Sequence, residues 1–190
     1  VMTGRKPLAL ALSSDGLMLY TANIGTYDVS RVDLDAREEL SPFDGVIGSW
    51  GIALSPDGSM LALAGVGSEL IGSSELIVMD AATGERLAAV PVGAQVSAVD
   101  WSADGSVVVA TSREEGVLAV IDGASLEPVG TVALDEGLAA VAVSEDGRTA
   151  YAASSLTGVV STVDVGSLTE TSRTEGLVDT RFMALVGEGR

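Results

Sequence analysis

Residues 55–65 read SPDGSMLALAG. An Asp-Gly pair stands beside a serine, and an apolar run follows it, which is the composition of a tight turn opening a strand. The phrase recurs as SSDG (13–16), SADG (102–105) and SEDG (144–147), and VGEGR (186–190) aligns with SEDGR (144–148), with Glu188 in the aspartate's place. The steps from Asp15 to Asp57, Asp104, Asp146 and Glu188 are 42, 47, 42 and 42 residues. A repeat of that length is one four-stranded antiparallel blade.

A second marker tightens the case. Each unit has an aspartate closing an apolar stretch: SRVDL with Asp33, LIVMD with Asp80, LAVID with Asp122 and STVDV with Asp164. From that aspartate to the next turn marker the distance is 24 residues in all four units, and from turn marker to aspartate it is 18, 23, 18 and 18. The length variation therefore sits in the second half of unit two.

These markers predict an all-β chain, a β-propeller of four-stranded antiparallel blades with about four and a half blades present. Residues 1–190 form one segment, with blades over 7–48, 49–94, 95–136 and 137–178 and the start of a fifth over 179–190. First strands such as PLALAL (7–12) and LAAVAV (138–143) precede the Asp-Gly turn, and second strands such as LMLYTAN (17–23) and SVVVATS (106–112) follow it. Near-continuous apolar runs in the first strands predict burial on both faces between neighbouring blades. Asp15, Asp57, Asp104 and Asp146 bond the backbone two residues on, while Gly16, Gly58, Gly105 and Gly147 take positive φ. A non-glycine residue held there costs roughly 1–2 kcal/mol. One carboxylate per blade does not assemble the 6–8 oxygen ligands of a calcium site, so these turns read as structural and no metal is expected.

Composition narrows the function. The 190 residues carry 27 acidic and 10 basic side chains, a net charge of −17, and no histidine or cysteine. Nucleic-acid binding needs a basic face, and anionic membranes repel such a chain. Disulfides, thiolate metal sites and Cys- or His-based nucleophilic chemistry need residues absent from this sequence. No apolar run approaches the roughly 20 residues of a membrane-spanning helix.

Loops joining second to third strands, and fourth to first, share one face of a propeller. The insertion GVGSELIGSSE (65–75) projects there, with Glu69, Leu70 and Ile71 at its centre. The same face carries Tyr27, Trp50, Gln95, Arg113, Glu114, Glu115, Glu136 and Arg181. Their type changes from blade to blade while the framework repeats, as a recognition surface requires. Arg113 with Glu114, and Glu136 with Arg181, are the carboxylate–guanidinium pairs available to an enzyme, and such loop pairs are worth about 0–1 kcal/mol.

PLALALSSDGLMLYTANIGTYDVSRVDL (7–34), with YTAN at 20–23, and LAAVAVSEDGRTAYAASSLTGVVSTVDV (138–165) resemble the YVTN-repeat β-propellers of bacterial and archaeal surface proteins. SPDGSMLALAGVGSELIGSSELIVMDAATGER (55–86) is similar to the related TolB-type repeat. The resemblance implies a larger ring facing the cell surface or periplasm, of which this chain is a fragment or which another chain completes. VMTG (1–4) fits the end of a fourth strand, as VPVG (90–93) does before unit three. The function expected is a non-catalytic binding or scaffold module without cofactor, presenting its loop face to a protein or glycan. The alternative is a propeller enzyme, a lactonase-like hydrolase or a cofactor-dependent dehydrogenase, with catalytic groups outside this segment.

Overall fold

The computed structural model describes residues 3–44, 49–65 and 74–176, and within them every regular element is a strand. The first sheet comprises β1 (Pro7–Leu12), β2 (Met18–Asn23), β3 (Asp28–Asp33) and β4 (Glu38–Asp44). The second comprises β5 (Gly51–Leu54), β6 (Met60–Ala64), β7 (Glu75–Asp80) and β8 (Arg86–Pro91). The third holds β9 (Val96–Trp101), β10 (Val107–Ser112), β11 (Val117–Asp122) and β12 (Pro128–Ala133), and the fourth β13 (Leu138–Val143), β14 (Thr149–Ser154), β15 (Val160–Asp164) and β16 (Thr169–Thr174). Each sheet is an antiparallel meander in sequence order, and the first strands stand side by side as β1, β5, β9, β13. This is the blade arrangement that the repeat predicts.

The apolar core lies between sheets and is divided among the interfaces. Tyr20, Ala22, Val29 and Phe43 of the first sheet meet Ile52, Leu61, Leu63 and Ile77 of the second. Ala62, Ala64 and Val78 of the second meet Val99, Trp101 and Val108 of the third. Val109, Val120 and Val132 of the third meet Val141, Val143 and Ala152 of the fourth. Middle strands such as β10 and β11 are buried on both faces, which suits runs of valine, isoleucine and alanine. Outer strands β8, β12 and β16 are largely exposed, and β16 is charged and hydroxyl residues throughout.

Polar ties lock the sheets in register. The Tyr20 hydroxyl donates to the Ala81 carbonyl at 3.2 Å, and Arg31 Nη1 donates to the Ala82 carbonyl at 2.8 Å while its guanidinium lies 4.4 Å from the centre of the Phe43 ring. Ser97 Oγ donates to the Leu138 carbonyl at 2.8 Å. Asp100 links the third and fourth sheets by accepting the Val143 N–H at 2.9 Å.

One expectation needs correction. β9 and β13 are largely buried, but β1 is not: Leu10 and Leu12 point into the open on one side of the strand, Ala11 is buried on the other, and Leu8, at a bulge in the strand, is exposed as well. The preceding sheet covers that side of β5, β9 and β13, and no described sheet precedes β1. The expected fifth blade start lies outside the described residues.

Candidate functional site

The Asp-Gly turns form one face of the arc. In each, the serine two positions before the aspartate does two jobs. Ser13, Ser55, Ser102 and Ser144 donate to Asp15, Asp57, Asp104 and Asp146 at 2.5, 2.6, 2.6 and 2.8 Å. Each serine oxygen also accepts the N–H of the residue five positions on, at 2.8–3.0 Å. The aspartates accept the N–H two positions on at 2.9–3.1 Å, and the glycines have φ of 73, 75, 74 and 67°. The serine was readable in the repeated S-x-D-G, although its link between the aspartate carboxylate and a backbone N–H was not.

The second aspartates work alike. Asp80 accepts from Thr83 N and Oγ1, Asp122 from Ser125 N and Oγ, and Asp164 from Ser167 N and Oγ, while Asp33 takes the Ala36 N–H. These bonds favour the charged carboxylate. Serine hydroxyls, then backbone N–H groups, hold Asp15, Asp57 and Asp146 below the usual range, and the same donors bring Asp104 to about 2. The Thr83 and Ser125 N–H groups lower Asp80 and Asp122. A carboxylate with a depressed folded pKa contributes stability present above its unfolded value, near 3.9, and lost as pH falls through the folded value. The melting temperature should therefore fall on acidification from about pH 4 towards about pH 2. The Ser102→Ala variant should show a shallower fall, because it withdraws the main donor to Asp104. Equal slopes by calorimetry would remove the serine relay as the cause.

The opposite face is built from the second-to-third and fourth-to-first connections. Arg113 is tied by its backbone: its N–H donates to the Gln95 carbonyl at 2.9 Å and its carbonyl accepts the Gly137 N–H at 2.8 Å. Three successive loops are thereby brought together, and with them Gln95, Arg113, Glu114, Glu115 and Glu136. The Gln95 amide donates to Glu114, and the Ala94 N–H donates to Glu115 at 3.0 Å. The pairing of Arg113 with Glu114 allowed by the sequence is not formed, because Gln95 takes that carboxylate. Glu136 is exposed, and its carbonyl accepts Ser154 Oγ at 2.6 Å. Tyr27 turns the first sheet's loop with φ of 59°. Glu69, Leu70, Ile71 and Arg181 lie outside the described residues.

Sequence reasoning missed two carboxylates. Asp135 binds Arg173 at 2.6 Å and accepts Thr157 Oγ1 at 2.8 Å, which holds its carboxyl below the ordinary range. Asp100 stands where Ala11, Ala53 and Ala142 stand in the other units, and that break in the repeat was the signal available. Burial raises its carboxyl above the usual value, against the lowering effect of the Val143 and Trp101 N–H groups.

Between the inner strands, at the loop-face end, lies a cavity of about 600 Å³ lined by Leu8, Leu10, Trp50, Ile52, Val99 and Val141, with Ser97 and Thr21 among its polar contacts. Trp50, 55% exposed, stands at its mouth, whereas Trp101 is packed between the second and third sheets. Among the described residues no group of three or more acidic side chains gathers at metal-binding separation.

Searches of solved structures find the same arrangement in two β-propeller proteins. Kuenenia stuttgartiensis hydrazine synthase matches over 90% of this chain and 49% of its own, with a TM-score of 0.79 and 22% identity. The structure of U3-55K matches over 87% of this chain and 51% of its own, with a TM-score of 0.76 and 15% identity. The chain is an arc of a β-propeller. It spans about half the length of each of these two chains. No protein-family model and no curated protein matches the sequence. At such identities the propeller likeness carries the fold alone.

Proposed function

We propose that this propeller arc is a non-catalytic binding or scaffold module, of the YVTN-repeat kind and acting outside the cytoplasm, which holds a protein or glycan partner on its loop face. One observation carries the reading: Trp50 stands half exposed at the mouth of an apolar cavity, on the face where the loops differ most between blades. A large aromatic in that setting supplies contact area at low entropic cost, and Ser97 and Thr21 add polar groups to the cavity's lining. The opposite face repeats the same serine–aspartate turn four times and offers no such variety.

The test uses the chain's own fluorescence. Trp101→Phe leaves Trp50 as the sole tryptophan, and its emission is followed against a glycan panel and against extracellular proteins fractionated from the source. A ligand of the loop face should shift that emission, and Trp50→Ala should weaken binding roughly thirtyfold, the size of a central aromatic contact. Undiminished affinity in Trp50→Ala would move the site elsewhere. One structural neighbour bears an enzyme's name, and this favours as a second reading a propeller enzyme completed by groups outside the segment. Turnover of a lactone panel by the intact protein, lost in Trp50→Ala, would select that reading.

A further inference from the structure

An aspartate followed by glycine can react with its own backbone. The glycine nitrogen, unobstructed by a Cβ, attacks the aspartate Cγ. An N–Cγ bond forms, a Cγ–O bond breaks, and that oxygen leaves as water with the amide and carboxyl protons. Water then opens the succinimide, and where it breaks the original peptide bond the product is isoaspartate, whose chain runs through the side chain and is one methylene longer. Five such pairs lie wholly within the described residues: Asp15-Gly16, Asp57-Gly58, Asp104-Gly105, Asp122-Gly123 and Asp146-Gly147. Four of them make the first turn of each sheet, where an extra methylene would pull the first two strands out of register. Those four aspartates are exposed, so burial does not protect them.

We infer that Asp15, Asp57, Asp104 and Asp146 are latent isoaspartate-modification sites, and that the serine of each S-x-D-G turn keeps them unmodified by fixing the carboxylate. The geometry occupies both reactants. The attacking N–H groups of Gly16, Gly58, Gly105 and Gly147 donate to the carbonyls of Ser13, Ser55, Ser102 and Ser144 at 2.8–2.9 Å. The carboxylates are tied to the next N–H along the chain and to the serine hydroxyl. Cyclisation also needs the neutral carboxyl, and these bonds favour the anion. At Asp104, held to about 2, the neutral form is scarcer than at an ordinary aspartate by well over an order of magnitude. Asp122 is held by other partners: the Gly123 N–H donates to the Ser106 carbonyl at 2.9 Å, and its carboxylate accepts the Ala124 and Ser125 N–H groups and the Ser125 hydroxyl. The protection is graded among the turns. Asp57 and Asp104 accept a second hydroxyl, from Ser59 at 2.8 Å and Ser106 at 2.7 Å, whereas Leu17 and Arg148 stand at those places beside Asp15 and Asp146.

The experiment ages the intact protein for several weeks at body temperature in mildly acidic buffer, folded in one arm and in guanidinium chloride in the other. Peptide mapping with electron-transfer fragmentation then tells isoaspartate from aspartate of equal mass. At the four turn aspartates it should accumulate at least roughly tenfold more slowly in the folded arm, the effect of one pKa unit on the neutral carboxyl alone. In the folded state each of Ser13→Ala, Ser55→Ala, Ser102→Ala and Ser144→Ala should raise isoaspartate several-fold at the aspartate two places on, and leave the other three turns at the parent level. The rise should be larger for Ser13→Ala and Ser144→Ala, which leave no hydroxyl on the carboxylate. Each turn controls for the folding of the others, and a variant that fails to fold leaves three that read the same comparison. Equal rates in the folded and unfolded arms overturn the proposal. So do serine variants that keep the parent's circular dichroism and age as the parent does, or in which the rise is shared equally by all four turns.

Discussion

Replacing Gly123 by valine should destabilise the chain by about 1–3 kcal/mol, at the upper end of that range, although valine occupies the same place in the fourth sheet. Gly123, like Leu34, Ala81 and Val165, follows the aspartate that closes a third strand, and in each case its N–H donates to the residue two places after the first turn's aspartate. Aligning the four units would therefore recommend a side chain. The third sheet does not have the room. A Cβ on Gly123 would collide with the Gly105 carbonyl oxygen and stand 3.0 Å from the Gly105 and Ser106 carbonyl carbons. These are backbone atoms of a turn held by the Ser102–Asp104 relay, so relief requires that turn to move. Urea denaturation of Gly123→Val and Gly123→Ala is the measurement. In a chain of this size a loss of 1 kcal/mol lowers the melting temperature by about 2–4 °C. Wild-type stability in Gly123→Val would show that the turn yields freely.

Asp100 carries the second large effect, again against the repeat. Changing it to alanine restores the residue found at 11, 53 and 142, yet it should cost about 1–3 kcal/mol, because the buried Val143 and Trp101 backbones lose the acceptor of their N–H groups. Asp100→Asn keeps one carbonyl acceptor and should lose less. The pH dependence has the opposite sign to that of the turn aspartates. Burial raises the folded pKa of Asp100 above its unfolded value, so its contribution is fully present below about 3.9 and lost as pH rises through the folded value. The stability difference between wild type and Asp100→Asn should therefore shrink as pH rises from about 3 to about 7. A constant difference across that window would mean that the carboxyl ionises as freely in the fold as outside it.

Serine, aspartate and glycine at S-x-D-G were enough to place each first turn, because the hydrogen bonds involved close within five residues. The expected strands at 7–12, 17–23, 106–112 and 138–143 match β1, β2, β10 and β13 to within one residue at either end. The loop face was less legible. Gln95 and Glu114 are 19 residues apart in sequence, and Asp135 and Arg173 are 38 apart, so neither pairing leaves a local trace. The exposed leucines of β1 were misread for the same reason. PLALAL looks like any other first strand, and only the neighbouring sheet decides whether it is covered.

By itself the sequence determined the number of strands per unit, their order and their turns, since blade-forming signals are short-range and repeat in register. The tertiary structure alone decided which carboxylate staples two sheets, which glycine admits no side chain, which tryptophan stands at a cavity mouth, and which apolar strand lies open. The staple depends on how closely one sheet approaches the next, across groups 43 residues apart in Asp100 and Val143, and the glycine on a turn of its own sheet 18 residues earlier, so neither leaves a local trace.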